Sequence, residues 1–449
     1  MIFQTIYKEL PSAVSLGFNS INRIRQTATA LGKTGLDWVF DGQPSPPVLM
    51  RKTFERLGAT YIKLGQLIAS SPSLFPDEYV KEFHRCLDQT ESVPFNQMHK
   101  ILKNELGSGY MEEIFDDIDP VPLASASIAQ VYAATLISGE DVVIKIQRPG
   151  VKNILSTDLN FLYYSAVILE RLVPRLQHVS LAGILSEIRR TVFEECDFIK
   201  EAENIKIFSE FLKESGNKRV VTPRVYPHAS SKRVLTMERL YGIPLTDREQ
   251  FLASTDQPQM ILGAAFETWL ASIAGCELFH ADLHAGNLLI LEDGRVGFID
   301  FGIVGRISEK TRKGVMSLIQ AMIMKDYMII AESMLIIGMT RKKVDTALLA
   351  KDLEDFYNAG ESMAEETLPV YAADPAYVPD LDEPEQILLE MVRIAEVHGI
   401  RFPREFTLLL KQFLYFDSYG DILFDMDLLM DGMMPDMEAF HRKLEWLDE

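Results

Sequence analysis

Four short stretches of the chain have the hydrophobic pattern of β-strands rather than the spacing of a helix. Residues Ile128 to Ile137 and Asp141 to Gln147 are rich in β-branched side chains and flank a turn at Ser138-Gly139-Glu140, which predicts a β-hairpin. Leu288–Leu291 and Arg295–Ile299 flank a second Gly-containing turn in the same way. The pattern therefore predicts two antiparallel hairpins that are far apart in the chain.

Helical spacing of hydrophobic residues dominates elsewhere. It predicts helices within residues 48–115, within 151–214, over Pro258 to Cys276 and after Ser308, which is a suitable N-cap. An acidic, Pro-containing stretch at Glu361–Glu385 is expected to be a surface connection.

Two further strands, at Arg219–Tyr226 and Arg233–Leu240, complete the predicted elements. Their order predicts an α+β protein in which a small sheet-bearing lobe is followed by a helical lobe. The expected domains are an amphipathic helical segment, a helical extension, the sheet-bearing N-lobe and a C-lobe with C-terminal helices. They span residues 1–47, 48–118, 119–240 and 241–449.

Composition places the chain among globular proteins. Its 449 residues are 47% hydrophobic and 24% charged, which excludes fibrous and fully disordered classes. With 45 basic and 65 acidic residues the net charge is −20, and we expect no nucleic acid partner. Cys86, Cys196 and Cys276 are widely spaced, which argues against disulfides or a zinc site and favours a reducing, cytoplasmic location.

The N-terminal segment differs in charge from the rest of the chain. Residues 1–36 contain Lys8, Arg23, Arg25 and Lys33 against Glu9, with hydrophobic residues at helical spacing. Such a helix either packs on the rest of the fold or lies on the inner, anionic face of a membrane. We expect no secretory signal and no membrane span, because no window approaches roughly 18 consecutive hydrophobic residues.

Three polar residues have the spacing of a phosphoryl-transfer site. Asp282 precedes Asn287 by five residues, and Asp300-Phe301-Gly302 follows a short hydrophobic strand. Protein-kinase-like sites take a carboxylate near the nucleophile and oxygen ligands for Mg²⁺ from a loop Asp, a loop Asn and the Asp of a DFG turn. Each motif alone arises by chance, but together they predict a catalytic Asp282 with Asn287 and Asp300 as metal ligands.

A lysine on a buried-type strand adds to this pattern. Lys145 lies within Val142 to Ile146, and a strand lysine of this kind holds the α- and β-phosphates of ATP when a helical glutamate orients it. The candidates for this glutamate are the acidic residues between Glu194 and Glu201, a run that hydrophobic residues interrupt. The alternative interpretation is an edge-strand lysine that points into solvent.

Two features differ from an ordinary protein kinase. The loop before the first hairpin contains Ala124, Ser125, Ala126 and Ser127 where a Gly-rich loop would cover the phosphates, so we expect altered nucleotide selectivity. No Ala-Pro-Glu motif follows Asp300, which argues against phosphorylation of peptides.

These residues resemble the UbiB-like (AarF/ADCK) atypical kinases over roughly residues 48–430. Lys63-Leu64-Gly65-Gln66 is similar to the family's KxGQ signature, and Glu195-Cys196-Asp197 to its ExD motif. The loop Ala124–Gln130 resembles the family's Ala-rich loop, with Ser125 where alanine is usual. His280 to Asn287 resembles its catalytic loop, with departures at Ala281, Leu283 and Ala285 that keep the polar residues.

The resemblance implies a bilobal kinase-like fold that binds ATP and Mg²⁺, with Glu201 paired to Lys145. It implies that Lys63 and Gln66 meet Glu195 and Asp197, occlude protein substrates and place the charge of Lys63 near the phosphates. We further expect the backbone of Glu238, in the connection between lobes, to face adenine.

Three functions remain open. The first is a Mg²⁺-dependent ATPase that supports ubiquinone, other isoprenoid-quinone or lipid metabolism, as the resemblance implies. Its partners would be a prenyl-quinone precursor or lipid, quinone-biosynthesis enzymes and a membrane surface. The alternatives are an active protein or small-molecule kinase and a pseudokinase scaffold that binds nucleotide or lipid.

Overall fold

The computed structural model describes residues 45–58, 60–62, 64–65, 77–83, 92–172, 181–340, 343–362 and 384–417. The predictions for the basic N-terminal segment, for Lys63 and Gln66, and for most of the acidic stretch at 361–385 lie outside the described residues. Within the part that is described, no helix is long and hydrophobic enough to cross a membrane.

Helices make up most of the described chain. They are α1 (Pro46–Leu57), α2 (Asp77–Phe83), α3 (Phe95–Leu106), α4 (Tyr110–Glu113), α5 (Val151–Leu172), α6 (Leu181–Glu195), α7 (Phe198–Glu214), α8 (Arg248–Ser254), α9 (Pro258–Gly275), α10 (Glu309–Met324), α11 (Tyr327–Ile337), α12 (Thr346–Ser362), α13 (Pro384–Val397) and α14 (Arg404–Asp417). The strands are β1 (Phe115–Ser125), β2 (Ala129–Leu136), β3 (Asp141–Gln147), β4 (Val220–Val221), β5 (Val234–Glu238), β6 (Gly242–Pro244), β7 (Phe279–His280), β8 (Leu288–Leu291), β9 (Val296–Phe298), β10 (Val304–Gly305), β11 (Met339–Thr340) and β12 (Ile400–Arg401).

The described residues form two compact units. The first contains those up to Glu203 together with Arg224–Arg239, and the second contains Asn204–Pro223 and those from Leu240 onward. Both predicted hairpins are present, as the pairs β2–β3 and β8–β9.

The sheet of the first unit is antiparallel, with strand order β1-β2-β3-β5. Successive side chains of a strand point to opposite faces, so Val142, Ile144 and Ile146 of β3 all enter the hydrophobic core. Lys145 lies between them in the sequence and is therefore directed to the other face. The alternation of side chains along β3 thus directs Val142, Ile144 and Ile146 into the core and Lys145 to the opposite face of the sheet.

The sequence pattern did not predict β1. This edge strand contains Pro120 and Pro122, and its register against β2 is irregular at both. Proline has no N–H to donate, so prolines are tolerated on an edge strand, where they also block pairing with another chain. Residues that normally argue against a strand therefore occur in this one.

The predicted strand at Arg219–Tyr226 is shorter than expected. Only Val220–Val221 forms a strand, parallel to β9, and Val225 adds a single bridge to Met237. Pro223 interrupts the run, because its ring removes a backbone donor.

A second hydrophobic cluster in the first unit holds the helical extension. Leu57 at the end of α1 and the helical residues Tyr61 and Leu64 pack with Leu155 of α5 and Val192 of α6. A polar contact adds to this packing, since Thr60 Oγ1 donates to Asp158 Oδ2 at 2.7 Å and both residues are buried. The described residues of this segment are therefore packed against α5 and α6.

The second unit has a mixed sheet in the order β4-β9-β8-β6 and a set of hydrophobic helices. Helix α9 begins at Pro258, as predicted, and buries Trp269 completely. The prediction that Ser308 starts a helix is confirmed, because its hydroxyl accepts from the Thr311 N–H at 3.1 Å.

Candidate active site

Lys145 and Glu201 form an ion pair within the first unit. Lys145 Nζ lies 2.8 Å from Glu201 Oε1 and 3.1 Å from Oε2. Glu201 is in the first turn of α7, and its side chain is 1% exposed against 13% for Lys145. The ring centroid of Phe198 lies 5.3 Å from the same ammonium. The solvent-facing interpretation of Lys145 is therefore wrong, and Glu201 pairs with it as the resemblance implies.

Glu195 and Asp197 lie at the junction of α6, which ends at Glu195, and α7, which begins at Phe198. Asp197 accepts the Glu201 N–H through its backbone carbonyl at 3.2 Å, and its side chain lies 3.9 Å from Lys232. Cys196 between them is buried, and its carbonyl accepts from Gln147 Nε2 at 2.8 Å. A buried amide thus joins the ExD segment to the end of β3.

The loop between β1 and β2 is held by an arginine that the sequence reasoning did not single out. Arg148 Nε donates to the Ala126 carbonyl at 2.7 Å, and Arg148 Nη2 lies 2.8 Å from Ser125 Oγ. Within the loop, the Ala126 N–H donates to the Ala129 carbonyl at 2.9 Å. Ser127 is fully buried, while Ala124 is exposed. The loop therefore has a fixed conformation that depends on a residue just after β3.

The backbone N–H of Glu238 is already hydrogen-bonded within the first unit. Glu238 ends β5, and its N–H donates to the Arg224 carbonyl at 2.8 Å, while its Oε2 accepts from the Arg224 N–H at 3.1 Å. The segment around Arg224 pairs with β5, so this N–H is not available to a purine base.

In the second unit, Asp282 and Asn287 belong to one loop closed by its own hydrogen bonds. Asn287 Nδ2 donates to the Asp282 carbonyl at 2.8 Å, and the Asn287 N–H donates to the His284 carbonyl at 2.8 Å. This use of the amide nitrogen leaves Oδ1 as the side-chain atom of Asn287 that could bind a cation. His284 Nε2 lies 3.9 Å from Asp282 Oδ2.

His280 joins this loop to the segment before Asp300. Its Nδ1 accepts the Asp282 N–H at 3.1 Å, and its Nε2 lies 3.3 Å from the Ile299 carbonyl, to which it donates. These two bonds select the neutral tautomer with the proton on Nε2. Complete burial lowers the pKa of His280 to about 4, although the nearby Asp282 and Asp300 oppose the shift.

Asp300 has a left-handed backbone, with φ of 62°. This conformation is unfavourable for a residue other than glycine and often marks a functional site. Asp300 Oδ1 accepts the Gly302 N–H at 3.2 Å, which compensates part of the strain. Phe301 is fully buried against Phe208, with ring centroids 5.2 Å apart, and so anchors the turn.

Helix α14 contacts the Asp282 loop directly. Lys411 Nζ lies 2.9 Å from Asp282 Oδ1, and the buried Gln412 binds the backbone of Leu283. Neither residue was assigned a role from the sequence, since 129 positions separate each from its partner. The only sequence feature that could have indicated a role is that these two adjacent polar residues interrupt a hydrophobic helical stretch.

The described residues contain no group of three or more His, Cys, Asp or Glu side chains that could hold a metal ion. A kinase-type magnesium site does not need such a group, since one carboxylate, one amide oxygen and phosphate oxygens can complete the coordination. Asp300 and Asn287 fit that requirement by residue type.

Comparison with known proteins identifies relatives over most of the chain. The family model described as the ABC1 atypical kinase-like domain matches residues 85–334. An uncharacterized, chloroplastic aarF domain-containing protein kinase of Arabidopsis thaliana is 43% identical over 439 residues, covering 92% of this chain and 81% of that protein. The chloroplastic protein ACTIVITY OF BC1 COMPLEX KINASE 8 of Arabidopsis thaliana is 30% identical, covering 83% of this chain and 51% of that protein. A solved structure of an Rv3197–erythromycin complex from Mycobacterium tuberculosis covers 91% of this chain and 98% of that chain, with 22% identity and a TM-score of 0.46.

Proposed function

The chain belongs to the ABC1 atypical kinase-like family, and on that premise we propose that it is a Mg²⁺-dependent ATPase that supports isoprenoid-quinone or related lipid metabolism. Its fold is the α+β, bilobal kinase-like fold that the sequence predicts. The observation that carries the proposal is the Lys145–Glu201 ion pair, in which one carboxylate is buried and held by one strand lysine.

The first unit would bind the phosphates of ATP through Lys145. A lysine held by a helical glutamate presents its ammonium in a fixed position, which is how kinase-like proteins bind the α- and β-phosphates. The rigid loop of Ala124, Ser125, Ala126 and Ser127 would lie over the phosphates. Because its turn has no glycine and Arg148 fixes it, we expect it to select among nucleotides more strictly than a Gly-rich loop does.

The second unit would hold Mg²⁺ through Asp300 and Asn287. Bound there, the cation supplies neutralisation of the charge on the phosphate oxygens. The strained backbone of Asp300 and the amide orientation of Asn287 are both consistent with side chains preset for this role.

Asp282 would position the attacking group. In hydrolysis, the oxygen of a water molecule forms a bond to the γ-phosphorus, and the bond from that phosphorus to the β,γ-bridging oxygen breaks. ADP leaves with the electron pair of that bond, and Asp282 orients the water and accepts its proton. The buried, neutral His280 fixes the backbone of Asp282 for this task.

Water is favoured over a peptide as the acceptor because the segment after the DFG turn is short. Only residues 303–308 separate Gly302 from α10, and β10 within them pairs with β7. Arg306 in this segment lies 3.2 Å from Glu277 and 3.1 Å from Asn204 Oδ1. A segment this short and this well anchored offers little surface on which a peptide substrate could dock.

Lys63 and Gln66 would restrict the reaction further. We propose, from the resemblance, that they interact with Glu195 and Asp197, that the charge of Lys63 lies near the phosphates, and that protein substrates are thereby excluded. The support from the structure is indirect: neighbouring residues of the same segment are packed with α5 and α6.

The proposed quinone or lipid substrate and its enzyme partners rest on the resemblance and on the basic N-terminal segment. The test measures phosphate release from ATP with and without vesicles of phosphatidylcholine and phosphatidylglycerol and a phenolic quinone-precursor analogue. We expect stimulation by anionic vesicles that falls in the Arg23→Gln, Arg25→Gln variant, because fewer basic residues face the anionic surface. Equal rates with neutral and anionic vesicles, with and without the analogue, would exclude this lipid role.

A further inference from the structure

The side chain of Asp282 is held by a residue far away in the sequence. Lys411 Nζ lies 2.9 Å from Asp282 Oδ1, and the two side chains are only 21% and 20% exposed. A surface ion pair contributes little, but partial burial strengthens the attraction because fewer water molecules screen it. Lys411 is thus placed to fix one oxygen of the carboxylate.

The neighbouring residue sets the register of this contact. Gln412 Oε1 accepts the Leu283 N–H at 2.7 Å, and Gln412 Nε2 donates to the Leu283 carbonyl at 3.2 Å. Gln412 is fully buried, so breaking these bonds would leave polar groups of the loop without hydrogen bonds in a dry interior. Helix α14 therefore cannot slide along the loop at low energy, and Lys411 stays beside Asp282.

Aromatic packing also holds α14 in place. Phe413 and Phe416 contact Trp269 of α9, with ring centroids 5.0 and 5.4 Å apart. The indole N–H of Trp269 donates to the His280 carbonyl at 2.8 Å, next to the same loop. Trp269 thus contacts both α14 and the segment next to the loop, and it helps to keep Lys411 and Asp282 at a fixed distance.

We propose that Lys411 is a positioning residue for Asp282 and that α14 is therefore an integral part of the catalytic unit. The ammonium holds Oδ1 in place, so that the carboxylate meets the attacking group in one orientation. The predicted effect of Lys411 on catalysis rests on the proposed ATP hydrolysis. The ion pair itself can be tested without it.

The first test compares steady-state ATP hydrolysis by wild type, Lys411→Met and Lys411→Arg. A misoriented Asp282 should lower kcat on the order of 10- to 100-fold in Lys411→Met. The KM for ATP should change by less than about twofold, because an interaction that matters only in the transition state affects kcat alone. Lys411→Arg keeps the charge and should recover most of the lost kcat.

Lys313→Met is the matched control, since Lys313 pairs with Glu309 at 3.6 Å on the exposed face of α10. It should leave kcat and the melting temperature unchanged. Wild-type kcat in Lys411→Met would overturn the proposal. So would an equal loss of kcat and of melting temperature in the Met and Arg variants, because that pattern indicates a structural role alone.

The second test is independent of activity. A double-mutant cycle compares the melting temperatures of Lys411→Met, Asp282→Asn and the double variant. If the pair interacts as proposed, the double variant melts no lower than the less stable single variant. Additive losses would overturn the pairing. If Lys411→Met does not fold, Lys411→Gln replaces it in the cycle. If the wild type hydrolyses no ATP, the proposed function fails and the cycle still decides whether Lys411 holds Asp282.

Discussion

Lys145 of β3 and Glu201 of α7 are joined through a contact of 2.8 Å that leaves the carboxylate almost completely buried. The two residues are 56 positions apart. A strand supplies the cation and the first turn of a helix supplies the anion, so neither element can shift without separating charges. The pair is therefore both a structural constraint and the candidate phosphate-binding group.

Removing one partner of this pair should destabilise the protein more than removing both. Lys145→Met leaves a buried charge without its counter-ion, and we expect the free energy of unfolding to fall by about 3 kcal/mol in urea titrations. Replacing Glu201 by Met as well should recover most of that loss. Lys206→Met is the control, because Lys206 and Glu210 are exposed and 3.9 Å apart, and its change should stay below about 0.5 kcal/mol. Equal losses in the single and double variants would contradict this account.

Asp300→Asn should remove the stabilisation that MgATP gives to the wild type. At about 100 times its Kd, a ligand that binds only the native state adds about 2.7 kcal/mol to the free energy of unfolding. Asparagine also tolerates the left-handed backbone, so the melting temperature without nucleotide should stay close to that of the wild type. The measurement is the melting temperature with and without MgATP.

Asp293→Asn is the matched control for this variant, since Asp293 is a turn carboxylate bonded to Arg295. It should keep the full response to MgATP. A full response in Asp300→Asn would show that Asp300 does not hold the metal.

The low pKa of His280 predicts how stability depends on pH. Burial lowers this pKa to about 4, whereas the unfolded chain takes up the proton near pH 6.5. Between these values only the unfolded state is protonated, so the contribution of His280 falls by about 1.4 kcal/mol for each unit of decreasing pH and is constant above about pH 6.5.

Urea unfolding at several pH values between about 5 and 7 measures this slope. His280→Gln should flatten it, while His228→Gln, at an exposed histidine, should leave it unchanged. An identical slope in wild type and His280→Gln would assign the pH dependence to other groups.

Arg148→Met should weaken nucleotide binding without changing the chemistry. The variant loses the bonds to the Ala126 carbonyl and to Ser125 Oγ, so the loop must be ordered when ATP binds. We expect the KM for ATP to rise roughly tenfold, which corresponds to about 1.4 kcal/mol, with kcat nearly unchanged. Lys152→Met removes a nearby exposed cation and should have no effect. A fall in kcat at constant KM would contradict this role of Arg148.

The hairpins could be predicted from the sequence because their information is local. Strands β2 and β3 alternate on either side of a Gly-containing turn, and Ser308 lies directly before the helix it caps. Strand β1 could not be predicted in this way. Its prolines argue against a strand unless the strand is known to lie at an edge, and that depends on the whole sheet.

The site shows the same division. The spacing of Asp282, Asn287 and Asp300 is visible in one stretch of sequence, and their loop contacts are local. The contact of Lys411 with Asp282 depends on how α14 packs against the loop. The hydrophobic pattern of a helix does not show which loop the helix will pack against.

The most direct test of the central claim follows the γ-phosphate of labelled ATP in the presence of Mg²⁺, with wild type and Asp300→Asn side by side. The account predicts that the wild type releases the label to water as inorganic phosphate and that the variant does not. Label transferred to a protein or to a small molecule would contradict the ATPase and establish a kinase. Absence of any release or transfer by the wild type, despite stabilisation by MgATP, would indicate a nucleotide-binding scaffold.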